Sequence, residues 1–62
     1  MRQHERITAR LAWHAARMKE LMDQGISLVA ASTQAYGELT QLKPRDLERW
    51  WEQHKSSASE AA

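Results

Sequence analysis

Arg2, Arg6, Arg10, Trp13 and Arg17 step by 4, 4, 3 and 4 residues. On a helix, side chains three and four apart are surface neighbours, so this spacing lays them along one flank. An arginine row with an interleaved indole could track phosphates while the ring stacks on a base. It could equally meet acidic groups of another protein. A solvated face is the plainer reading, because Arg2 has Glu5 and Arg17 has Glu20 at i, i+3. That pairing leaves mainly Arg6 and Arg10 without a local partner. The placement nevertheless opposes the helix dipole: the arginines crowd the start of the segment, and Glu20 and Asp23 lie near its end. Charge set against a local preference points to a tertiary or intermolecular role. Arg45 and Arg49 form a second, shorter basic pair beside Glu48.

Other constellations are weaker. Trp50 and Trp51 are adjacent, so on a helix they point about 100° apart and one can fill a core while the other borders it. Tryptophan is also enriched at interface hot spots. His14, Met18 and Met22 repeat every four residues and could offer soft ligands to Cu(I) or haem. They read better as core filler, and no Cys or His-x-x-x-His motif supports a metal. No metal or cofactor is therefore expected. His4 and His14 fall on core-type positions, so packing should loosen as the pH drops toward ~5 and imidazole takes up a proton. The eight carboxylates show no pairing suited to acid–base work, and no nucleophile arrangement is recognisable. The chain is not expected to be an enzyme.

The elements that must position these residues are helices. Residues 3–24 are rich in helix formers, and positions 4, 7, 11, 14, 18 and 21 repeat with alternating 3–4 spacing. Gly25 suits the residue that ends such a helix in left-handed geometry. Residues 27–42 read as a second helix with Ser27 as N-cap. One face carries Leu28, Val29, Ser32, Ala35, Tyr36, Leu39 and Leu42; the other carries Ala30, Thr33, Gln34, Gly37 and Gln41. Between Ile26 and Leu42 only Glu38 is ionised. A strand over Ile26 to Ala31 is the weaker alternative, since no second strand exists to pair with it. Pro44 opens a third helix, 44–55, whose Leu47, Trp50, Trp51 and His54 share one face. A single long helix kinked at Pro44 is the alternative there. Residues 56–62 read as a disordered tail behind one domain, 1–55. A DNA-binding helix-turn-helix fits poorly, because Gly37 lies too early for a recognition helix beginning at Pro44.

The fold class is all-α: a helical hairpin plus a short third helix, completed by oligomerisation. The last point follows from composition. Of 26 apolar residues ten are alanine, leaving 16 larger ones in a chain of 62 residues without cysteine. Small scaffolds lacking disulfides or metals usually close their core through an oligomer interface. An antiparallel pair of first helices would set Arg10 against Arg17 of the other copy, so the first helix suits the uncharged second helix better. The second helix then needs cover on two sides, from the third helix, another copy or a different protein.

A formal charge of +1 is low for a dedicated nucleic-acid binder. No run of ~18 apolar residues could span a membrane, and no secretory signal is read, so a cytoplasmic protein is expected. The functional expectation is a protein–protein interaction module: an adaptor, inhibitor or regulator, homo-oligomeric (a dimer first of all) and binding another protein through Trp50, Trp51, Arg6, Arg10 and Trp13. The alternative is a small DNA- or RNA-binding regulator using Arg6, Arg10, Arg17, Arg45 and Arg49. Salt separates the two, since phosphate contacts weaken steeply between ~50 and ~200 mM and an apolar contact barely changes.

Overall fold

The computed structural model describes the backbone of residues 2–61 and the side chains of residues 2–55. Three helices follow in order: α1, Gln3–Asp23; α2, Leu28–Gln41; α3, Pro44–Ala61. The described residues contain no strand. The helix backbone of α3 thus continues past Lys55, where the third helix was expected to stop. The tail expected at 56–62 falls on side chains outside the described residues.

Local chemistry explains each boundary. Gly25 has φ of 93°, the left-handed conformation that a Cβ disfavours. The Gly25 N–H donates to the Met22 carbonyl at 2.9 Å, and the Ile26 N–H reaches the Leu21 carbonyl at 3.1 Å. This is the Schellman pattern, and Ile26 completes it by packing on Leu21. Ser27 then caps α2, its Oγ accepting from the Ala30 N–H at 3.3 Å. The segment from Ile26 to Ala31 is therefore cap and helix, not strand. Pro44 takes the first position of α3, with Asp46 in the first turn where free N–H groups favour a carboxylate. Residues 42 and 43 lie outside both flanking helices, which rules out one long kinked helix.

α1 is the shared element: it packs on both α2 and α3, and those two do not pack on each other. Leu21, Ala31 and Ala35 form the buried cluster between α1 and α2, with Met18 and Ile26 against it. Ala9, also fully buried, stands on a different flank of α1, at helical spacing from Glu5, Trp13 and Ala16. That is the flank facing α3. The three helices form one unit joined through α1, with Cα extents of 31 × 27 × 16 Å.

This arrangement corrects the expected stripe on α1. Leu21 is buried and His14 and Met18 half-buried, but His4 is exposed, and Ile7 and Leu11 are 54% and 67% exposed. The reason is that α1 serves two partners on separate flanks, so its apolar line falls beside the α2 contact. α2 is likewise rotated: Ala31, Ala35 and Leu39 point inward, while Leu28, Val29 and Tyr36 stay exposed. On α3, Leu47 is buried, Trp50 and Trp51 are half-buried, and His54 is exposed.

Leu21 is 2% exposed and central to the α1–α2 contact. Leu21→Ala should lower stability by about 2–5 kcal/mol. Gly25→Ala, strained at its positive φ, should cost about 1–2 kcal/mol. Urea unfolding followed by helical circular dichroism measures both. An unchanged midpoint for Leu21→Ala would contradict this packing.

Candidate functional site

Two polar connections hold the helices in place. The first joins α1 to α2. Arg17 Nε donates to Glu38 Oε1 at 3.0 Å and Nη2 to Glu38 Oε2 at 3.3 Å, a two-pronged guanidinium–carboxylate contact. Arg17 Nη1 also reaches Glu20 Oε2 at 2.9 Å, the pair expected from the i, i+3 spacing. Gln34 Nε2 donates to Glu38 Oε2 at 3.1 Å. The Arg17 hydrogen bonds, followed by that of Gln34, hold the Glu38 carboxyl below the usual range. Glu38 in turn raises the Arg17 guanidinium, with a smaller contribution from Glu20. Farther along the same contact, His14 Nε2 lies 3.3 Å from the Ser32 carbonyl, which requires that nitrogen to carry the proton.

The second connection joins α1 to α3. Trp51 Nε1 donates to Glu5 Oε1 at 3.1 Å, and Lys55 Nζ reaches the same oxygen at 3.4 Å. Glu5 therefore turns to α3 and not to Arg2. The Trp51 hydrogen bond, then the charge of Lys55, lower its carboxyl. Lys55 also meets Glu52 at 3.2 Å, and that hydrogen bond, followed by the charge of Glu5, raises its ammonium. Trp50 stacks on His54 with ring centres 4.6 Å apart, and Trp51 lies 6.4 Å from Trp50.

These contacts sort the predicted site residues. Trp13 and Trp50 line one cleft with Arg17, Glu20 and Glu38 between the helices, and Trp51 is tied to Glu5. All three indoles are half-buried where α3 docks. Arg17 is committed to two carboxylates. Arg6 and Arg10 are exposed and form no ion pair among the described residues, and Arg10 borders a groove with Ile7, Leu11 and Tyr36. Arg45 and Arg49 are exposed and interleaved with Glu48 and Glu52. Arg10 and the Arg45–Arg49 pair border different grooves. His14, Met18 and Met22 do not converge: His14 faces a carbonyl and Met22 is exposed.

The surface that residue-by-residue reading missed is apolar. Ile7, Leu11 and Met22 on α1 and Leu28, Val29 and Tyr36 on α2 are the exposed large hydrophobics among the described residues. None is on α3. Ile7, Leu11 and Tyr36 line a single groove with His14 and Leu39. The signal for this surface was the uncharged run of α2, which called for cover on two sides.

Because the Glu5 carboxyl is lowered, its contribution is present above the carboxylate pKa of the unfolded chain. It is lost as pH falls through the lower folded value. Acidification below about pH 4 should therefore loosen α3 from α1, shifting Trp51 emission to the red. Glu5→Gln should remove most of that acid step. An unchanged step in Glu5→Gln would show that Glu5 does not hold Trp51. No protein-family model, curated protein or solved structure matches this chain.

Proposed function

We propose that the chain is a small helical interaction module, an adaptor, inhibitor or regulator, whose binding face is the open side of the α1–α2 hairpin. One observation carries this reading: six large apolar side chains stand exposed on α1 and α2, and α3 covers none of them. Exposed apolar side chains that converge, as Ile7, Leu11 and Tyr36 do on one groove, mark an interaction site more often than scattered single residues do. Removing them from water is the driving force the module offers a partner. Arg6 and Arg10, exposed beside Ile7 and Leu11, supply a basic rim that would orient an acidic edge of that partner. The indoles act from behind, fixing α3 on α1, and Trp13, Trp50 and Trp51 contribute to binding chiefly by keeping α1 in place.

The nucleic-acid reading has less support. Arg17 is held by Glu38 and Glu20, and Arg45 and Arg49 alternate with carboxylates, so of the arginines named for that role Arg6 and Arg10 remain unopposed among the described residues. No helix among the described residues is long and apolar enough to cross a membrane.

The test is the native size of the protein in extract of cells that express it. The chain should elute well above its own 7.2 kDa, before and after nuclease treatment. Ile7→Asp with Leu11→Asp should shift it toward its own mass while helical dichroism is kept. Collapse of the complex on nuclease treatment would replace this reading with the nucleic-acid one. Elution of the unaltered chain at its own mass would remove the module reading altogether.

A further inference from the structure

We infer that α3 is a strap: latched to Glu5, it opens from α1 as one unit while the α1–α2 hairpin stays folded, uncovering Trp51 and the Ala9 flank of α1. The inference does not rest on the module reading. It starts from how the buried residues divide. Leu21, Ala31 and Ala35 form the hairpin's cluster, with Met18 and Ile26 packed on it, and all five belong to α1, α2 or the turn between them. Among the described residues nothing from α3 joins that cluster. The hairpin also carries its own fastenings. The Gly25 turn, the Ser27 cap and the Arg17–Glu38 contact are all made within residues 17–38.

The hold on α3 is thin by comparison. Of its described side chains only Leu47 is buried, and Trp50, Trp51 and Lys55 are half-buried. Ala9, the fully buried residue of α1 on that side, has a single methyl group to offer. The Trp51 and Lys55 side chains tie α3 to α1 at one and the same atom, Glu5 Oε1, at 3.1 and 3.4 Å. The Lys55 contact is the longer of the two, and Lys55 is shared with Glu52 of its own helix at 3.2 Å. The indole N–H is therefore the firmer tie. Other contacts travel with α3: Trp50 stacks on His54 with ring centres 4.6 Å apart, and Trp51 lies 5.9 Å from the same imidazole. These contacts make α3 a unit that moves whole.

The chain permits the motion at one joint. α2 ends at Gln41 and α3 begins at Pro44, so Leu42 and Lys43 alone lie between them. Leu42 is extended, with φ of −72° and ψ of 127°. Pro44 lacks the N–H that would carry the α2 hydrogen-bond ladder across the joint. The backbones of α2 and α3 do not pack on each other, and the two helices share only the border of a cleft, through Glu38 and Trp50. A change of backbone angles at Leu42 and Lys43 thus frees α3 and leaves both flanking helices intact. Segments with few buried apolar contacts open at lower free energy than the core they lean on.

Native-state hydrogen exchange on the intact chain at neutral pH tests the strap. Relative to their intrinsic rates, the amides of residues 48–55 should exchange together and at least about tenfold faster than those of residues 32–41. Trp51→Phe keeps a ring and removes the N–H that meets Glu5. It should speed exchange across residues 48–55 by about fivefold and leave residues 32–41 unchanged. Leu47→Ala removes the buried anchor of α3, and it should act on the same amides more strongly while the hairpin amides keep their protection. Equal protection of the two segments in the unaltered chain would overturn the strap. So would loss of both together in either variant, since the three helices would then open as one body. An unchanged rate across residues 48–55 in Trp51→Phe would overturn Glu5 as the latch.

Discussion

α1 has two flanks and gives one to each of its neighbours. That constraint determines the rest of the molecule. Because α2 and α3 dock on separate flanks of α1, their backbones do not pack on each other, although Glu38 and Trp50 border a shared cleft. The contacts that permit this are made by small residues. Ala9 on the α3 side and Ala31 and Ala35 on the α2 side are fully buried, and their size lets helix backbones approach closely. Close approach through alanine buries backbone-near surface efficiently, but it leaves the bulky side chains of the same helices to find cover elsewhere. Ile7, Leu11, Val29 and Tyr36 are those side chains.

Polar contacts fix the geometry that the alanines leave adjustable. Helices packed through small, smooth surfaces can slide and rotate at little cost. The two-pronged Arg17–Glu38 contact and the Trp51–Glu5 hydrogen bond each define one register. Both are partly exposed, so their net contribution to stability is modest. Their role is to decide which faces are turned outward. With Glu38 drawn to Arg17, the outer side of α2 is left free of charge, and the apolar face follows from that electrostatic choice.

Most element boundaries were legible because each is set by local chemistry: Gly25 in left-handed geometry, Ser27 as a cap, Pro44 at a helix start. The facing of the helices was not. The 3–4 periodicity of α1 locates its apolar line, but alanine carries almost no periodic signal, so Ala9 and its flank could not be recognised as the seat of α3. Glu5 shows the same limit. Arg2 is its evident partner in sequence, whereas its actual partners are Trp51 and Lys55, far along the chain. The tryptophans were legible as contact residues, although the contact visible here is with α1. What composition did convey was the shortage of bulky apolar residues and the uncharged second helix, and together these implied a face in need of cover.

The central claim is that α3 is held by α1 and leaves the apolar side of the hairpin, Tyr36 included, uncovered. Nuclear Overhauser spectroscopy on the isotope-labelled chain addresses it directly. The account predicts contacts from the Trp51 indole to the Glu5 side chain and none from the Tyr36 ring to α3. Strong contacts between the Tyr36 ring and Leu47 or Trp50 of its own chain would place α3 over α2 and contradict it.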